Sequence, residues 1–243
     1  MTSSTSNQSQ ASFATTRWSM ITQIFRPGER APSDALGELC LRYRYPVYAY
    51  VRHCGHAAPI ALDITLSFLH HLLQHFKEQG QPPMKEHFRR YLLARLHAYL
   101  AADWRGMRDE VVDERDASVE DLETRYLRDS AHAESPEQVF QRGFALEVLT
   151  RSFKRLHAEA RQTGHADMYE ALAPFLAHDP APGQYDEVAR QLHTRPLTIV
   201  VALKRLRQRL HELSSEELAD TVSSAEEFAA EQQALFAVLQ GTD

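Results

Sequence analysis

The residues best equipped for chemistry in this chain are bases gathered on one stretch. Between Gln184 and Leu213 lie Arg190, Arg195, Lys204, Arg205, Arg207 and Arg209, against the acids Asp186, Glu187 and Glu212. Guanidinium and ammonium groups arrayed along a helix neutralise phosphates and release their counterions. A helix also fits the major groove of DNA, where the residues of its first turns meet base edges. This is binding chemistry: no bond is made or broken by such a set.

Other reactive side chains are dispersed. Among 13 His, His53 and His56 flank Cys54, and His71 and His75 lie one helical turn apart. Zinc sites ask for four soft or imidazole ligands at recognisable spacing, and no second Cys–His pair occurs, so no metal is expected. Cys40 and Cys54 cannot build a disulfide framework. There is no phosphate-cradling Gly loop, nucleophile elbow or His-Glu-x-x-His run. The carboxylates from Asp109 to Asp121 sit in a polar stretch where nothing raises their pKa or excludes water. Hence no catalytic residue and no cofactor are expected, and the chain is not read as an enzyme.

The elements that must position the bases are helical. Hydrophobic residues make up 43% and charged residues 25%, with only 9 Gly and few β-branched residues beside Leu, Ala, Arg, Glu and Gln. Residues 1–13 read as a disordered leader. Apolar spacing predicts helices over Asp34–His53, with Pro46 as a kink or a new start, and Ile60–Lys77, where Ile64, Phe68, Leu72 and Phe76 recur every fourth residue. A third runs from Lys85 to Trp104, with Phe88, Leu92, Leu96, Tyr99 and Leu100 on one stripe. Three such helices close a small bundle, residues 14–104. Residues 105–135 read as an acidic interdomain linker that could carry some helix, because no sustained apolar face is visible there.

Ser135-Pro136-Glu137-Gln138 is a helix start, with Ser as cap and Gln three residues on. A long helix to about Gly164 and a shorter one around Met168–His178 follow. Two short helices then flank a turn at His193-Thr194, a helix-turn-helix within a second domain of residues 136–213. In its second helix Leu197, Val201 and Leu206 are expected to face inward. Residues 214–243 form an acidic amphipathic tail without Lys or Arg. It either packs on its own domains or covers the basic surface. The fold class is therefore all-α: two small helical domains, an acidic linker and a helical tail. The net charge of −6 reflects the linker and tail and conceals a basic helix. No apolar run approaches the roughly 20 residues of a membrane span, and the polar start is no signal peptide, so a cytoplasmic setting is expected.

Read in order, several blocks resemble RNA polymerase sigma factors of the extracytoplasmic-function type, in the sigma-70 family, above all a subgroup beginning Thr-Arg-Trp-Ser. That motif is Thr16-Arg17-Trp18-Ser19 here. Glu38–His56, His87–Trp104, Ser135–Leu156 with Met168–His178, and Tyr185–Leu210 resemble successive family segments, co-linearly from Phe13 to about Leu213. The resemblance implies a region 2-like domain that binds core RNA polymerase and opens the minus-ten DNA. A region 4-like helix-turn-helix would read the minus-thirty-five element. By resemblance, Arg89, Arg90, Arg95, His97, Trp104 and Arg105 lie on or beside the minus-ten-facing helix. Arg195, Pro196, Thr198, Lys204 and Arg205 face the upstream element. Asp63, Thr65 and Phe68 belong to the polymerase-gripping run. The implied partners are core RNA polymerase and promoter DNA, with an anti-sigma factor or a regulatory kinase as controller, and no membrane.

Three positions depart from the family. Asp63-Ile64-Thr65-Leu66-Ser67-Phe68 lacks the Gln and second acid of the family's Asp-Leu-Thr-Gln-Asp-Phe run. His193 replaces a turn Gly, and Val200 replaces a basic or polar residue. These favour the alternative of a degenerate sigma-like protein that binds a partner without directing initiation. A dimeric helix-turn-helix repressor would account for the last domain alone.

Overall fold

The computed structural model describes residues 32–79, 88–102, 115–130 and 135–219, together with Gln233. Every element among them is helical, and the protein belongs to the all-α class. In chain order they are α1 (Pro32–His53), α2 (Ala58–Gln79), α3 (Phe88–Ala101), α4 (Arg115–Asp129), α5 (Pro136–Gln162), α6 (Ala166–Leu172) with a 3-10 turn at Ala173–Phe175, α7 (Gln184–Gln191) and α8 (Pro196–Ala219). No described helix is long and apolar enough to cross a membrane. Two compact units are formed, one reaching to Glu147 and the other running from Val148 to Leu218.

In the first unit the fourth-residue stripe of α2 is buried as its spacing requires: Ile64, Phe68, Leu72 and Phe76 are all at most 2% exposed. Phe88, Leu92, Leu96 and Tyr99 of α3 are buried with them. The second half of α1 is buried almost all round, from Tyr43 through Val51. A helix apolar on every side must be covered on every side, and α2 and α4 both pack on it. Pro46 sits inside α1 without ending it. The side chain of Gly143 in α5 is absent for a reason: a Cβ there would lie 3.3 Å from Pro46 Cα.

The acidic segment 105–135 differs from its expected role as a linker. Arg115–Asp129 is a helix, α4, and it packs on α1 and α2. Its acids are partners for buried tyrosines. Tyr48 Oη donates to Glu123 at 2.6 Å, Tyr45 Oη donates to Asp129 at 2.6 Å, and Arg52 grips Glu123 with two nitrogens at 2.8 and 2.6 Å. The apolar face of α4 is short, Val119, Leu122 and Tyr126, and charge pairing supplements it. The division between units accordingly falls within α5, after Glu147, and not at Ser135-Pro136. The start of α5 is as read: Ser135 N donates to Gln138 Oε1 at 3.1 Å and Gln138 N to Ser135 Oγ at 3.2 Å, a capping box.

The second unit is built round Leu156, Tyr169, Leu172, Val188, Ile199, Leu203, Leu210 and Leu213. In α8 the inward residues are Ile199, Leu203, Leu206, Leu210 and Leu213, spaced 4, 3, 4, 3. That repeat holds one face over four turns, and it outweighs the expected pair Leu197 and Val201, which are 73% and 43% exposed. Residues 214–219, assigned above to the tail, continue α8. Ser214, Glu217 and Leu218 are buried, and Arg155 pairs with Glu216 and Glu217 at 2.6 and 3.1 Å. The leader with its Thr-Arg-Trp-Ser motif and, apart from Gln233, the remainder of the tail lie outside the described residues.

Candidate nucleic-acid interface

Two helices and a four-residue turn make the candidate site in the second unit. α7 ends in a Schellman motif: Thr194 N reaches back to Ala189 O at 2.9 Å and His193 N to Arg190 O at 3.2 Å. The motif needs a left-handed residue between helix and exit, and His193 takes it at φ 51°. So His193 adopts the conformation that the family's Gly would supply. Pro196 follows at the first position of α8, where its fixed φ suits the helix and its missing N–H is not needed. Arg195 O receives the amides of Thr198 and Ile199 at 2.9 and 3.4 Å.

With Ile199 and Leu203 inward, the end of the turn presents Arg195 and the outer side of α8 presents Pro196, Thr198, Lys204 and Arg205, all exposed. Arg195, Lys204 and Arg205 form no ion pair with any other described residue, which leaves their charge available to an external anion. Arg190, on α7, is exposed as well, whereas Arg207 and Arg209 are committed elsewhere. Arg207 donates to Phe175 O, His178 O and Asp179, closing the exit of the 3-10 turn. Arg209 grips Glu159 with two bonds of 2.8 Å, and also reaches Glu212. That pairing holds Glu159 below the usual carboxylate range. The four bases of α8 thus divide into two turned outward, Lys204 and Arg205, and two that fasten the unit together. Leu197, Val200 and Val201 also lie on the surface of this helix.

The first unit places its expected DNA-facing residues unequally. Arg90 is exposed and Arg95 half-buried on α3. Arg89, expected beside the DNA-facing helix, is only 5% exposed: its guanidinium lies 4.3 Å over the Phe144 ring, and Nη1 donates to Gln141 Oε1 at 3.0 Å. Burial pulls its pKa below the ordinary range. Position 89 faces α5 because it lies one residue after Phe88, at the edge of the stripe, and the aromatic face of Phe144 covers it. His97 is half-exposed, with Nε2 2.6 Å from the Tyr50 hydroxyl and 3.4 Å from Glu137. Trp104 and Arg105 lie outside the described residues.

Of the three residues expected to face polymerase, two are buried. Thr65 is fully buried and its hydroxyl donates to Ala61 O at 2.7 Å. Phe68 is 1% exposed and packs 5.5 Å from the Tyr99 ring. Both sit on the inward face of α2 because the Ile64-Phe68-Leu72 stripe carries them there. Asp63 is half-buried, and the exposed side of α2 runs through Ile60 and His71. No cluster of metal-ligating residues occurs among the described residues. The free Cys54 has its thiol pushed up by burial first.

Sequence reasoning missed the Tyr45, Tyr48 and Arg52 partners on α4. The available signal was the i, i+3, i+7 spacing of Val119, Leu122 and Tyr126. Searches of protein families, of curated proteins and of solved structures return no match for this chain.

Proposed function

We propose that this protein is a sequence-specific transcription initiation factor of the extracytoplasmic-function sigma type, acting in the cytoplasm by binding core RNA polymerase and directing it to promoters. One observation carries the reading: an α7–turn–α8 unit whose turn and second helix present Arg195, Thr198, Lys204 and Arg205 outward, with these bases uncommitted to any described acid. Thr198, in the first turn, would meet base edges, and Lys204 and Arg205 would meet phosphates. The co-linear resemblance supports assigning the first unit, with Arg90 and Arg95 on α3, to the opened minus-ten strand. Basic side chains beside aromatics suit unstacked single-stranded DNA.

The exposed Leu197, Val200 and Val201 favour a second reading, a sigma-derived protein that binds a partner without directing initiation. The deciding experiment is transcription from pooled genomic fragments with core polymerase, with and without this protein. Discrete new start sites, lost on Arg90→Ala and on paired Lys204→Ala and Arg205→Ala, are expected. Binding to core polymerase without any new transcript would transfer the assignment to the second reading. Arg90 is the residue to change, since Arg89→Ala would disturb the buried contact with Phe144.

A further inference from the structure

A groove of about 640 Å³ opens in the second unit between α5, α6 and α8. Small-molecule sites span roughly 300–1,000 Å³ and are mostly apolar, with a few placed polar groups. Here α5 and α6 contribute Leu156, Met168 and Tyr169, and α8 contributes Leu197, Val201 and Leu206. Leu197 is 73% exposed and Val201 43%, so this apolar wall faces water in the free chain.

The polar groups of the lining differ in whether they already have partners. Glu159 holds Arg209 with two bonds of 2.8 Å. Thr163 donates its hydroxyl to Glu159 O at 2.9 Å, and His165 Nδ1 lies 3.1 Å from the same hydroxyl. Arg205 is exposed and pairs with no acid among the described residues. Its position along the helix decides what it can meet. Leu197, Val201 and Arg205 follow at i, i+4 and i+8 and share one side of α8. At 1.5 Å per residue that side runs about 12 Å, apolar at its start and cationic at its end. A straight apolar chain ending in a carboxylate answers both parts, because a guanidinium fork donates two parallel bonds to a carboxylate. A cationic amphiphile would meet Arg205 with like charge. A symmetric second copy would bring the bases Lys204 and Arg205 towards their own counterparts.

We propose that this groove binds a medium-chain carboxylate. Its chain lies along Leu197 and Val201, against Met168 and Tyr169, and its carboxylate accepts hydrogen bonds from Arg205. Thr198 and Arg205 both line the groove, so the ligand covers two of the residues offered to DNA. Binding of the ligand stands apart from the proposed function, and only the competition with DNA rests on it.

The test is calorimetric titration of the full chain with dodecanoate below its micelle concentration. One ligand per chain is expected. Arg205→Ala should weaken it about tenfold, the loss of a charge-assisted bond, and Arg205→Lys should recover part of that. Val201→Glu, which sets a carboxylate in the groove, should abolish binding, while Arg190→Ala on α7, outside the groove, should leave it unchanged. Both groove positions are exposed, so neither change threatens the fold. From octanoate to dodecanoate each added methylene should tighten binding about twofold, as half-burial implies. Dodecyltrimethylammonium should not bind. No uptake of dodecanoate, equal uptake of both amphiphiles, or an affinity indifferent to Arg205→Ala and Val201→Glu would overturn the proposal. A dimer in sedimentation that Val201→Glu dissociates would give the face to a second copy and overturn it as well. Saturating dodecanoate should also weaken the binding of duplex DNA at low salt, and unchanged affinity would overturn the competition. A chain that binds no DNA with or without dodecanoate would sink the functional reading, while the titration still reports the ligand.

Discussion

Arg89 and Arg90 are consecutive on α3, yet only Arg90 faces solvent. The spacing of apolar residues locates a stripe but not its edges, and a base at an edge is covered or not by what a distant helix brings. Here α5 brings Phe144 and Gln141. Arg89→Ala removes a buried cation–aromatic contact and a hydrogen bond, and should cost about 2 kcal/mol. Arg90→Ala should stay within about 0.5 kcal/mol of the parent. Urea unfolding of the two variants checks this, and equal midpoints would show Arg89 to be exposed in solution. Glu123 gives a second case. Its carboxyl is held below its ordinary value of 4.5, first by the bonds from Arg52 and against the cost of burial. A depressed carboxylate stabilises the fold above its unfolded pKa, and that contribution is lost as pH falls through the folded value. Glu123→Gln should therefore cost about 2 kcal/mol at pH 7. The gap between variant and parent should narrow steadily once pH drops below about 4.5. A gap that persists unchanged at pH 3 would mean that charge is not what the Arg52 pair contributes.

At the scale of elements, strong periodicity was readable and charge-stabilised helices were not. The α2 and α3 stripes and the capping box of α5 follow from spacing alone, because each buries enough apolar surface to dictate its face. The helix α4 has three apolar positions and owes its place to Glu123 and Asp129 meeting Arg52, Tyr48 and Tyr45, partners more than 70 residues away. Nothing local announces such pairing. In α8 two candidate stripes competed, and the one repeated over more turns prevailed. The turn before it makes a separate point. His193 holds φ 51° where a Cβ is unwelcome, so His193→Gly should raise stability by roughly 0.5–1 kcal/mol and His193→Val should lower it. Thermal melts of the two variants decide the matter: a Gly variant no more stable than the parent would mean that the imidazole compensates for the strain. On α5, Gly143→Leu should be far worse than Gly143→Ala, since a Cβ already meets Pro46 Cα at 3.3 Å and the Tyr45 ring at 3.4 Å and leaves no room for further atoms.

Over the whole molecule the formal charge is −6, and a polyanion is the last partner that sum would choose. On the proposed function, what DNA would meet is set within a Debye length of about 8 Å at physiological salt, so charge beyond that distance is largely screened. Along the turn and α8, Arg207 and Arg209 are paired with Asp179, Glu159 and Glu212, which leaves Arg195, Lys204 and Arg205 as the bases of this surface that would release counterions. If those three alone contact phosphate, log affinity should fall with log salt at a slope of roughly −3, about 0.9 per contact. Lys204→Ala and Arg205→Ala should each reduce that slope by about 1 and weaken binding to every sequence alike. Thr198→Ala, nearer the base edges, should instead alter sequence preference at a nearly constant slope. Arg207→Ala and Arg209→Ala should lower the melting temperature without changing the slope, since their charges already have partners inside the unit. Fluorescence titrations from 50 to 300 mM salt read all of these at once. If the slope changed with Arg209 and not with Arg205, the roles of the two bases would be reversed, and the outward face of α8 would not be the surface that meets DNA.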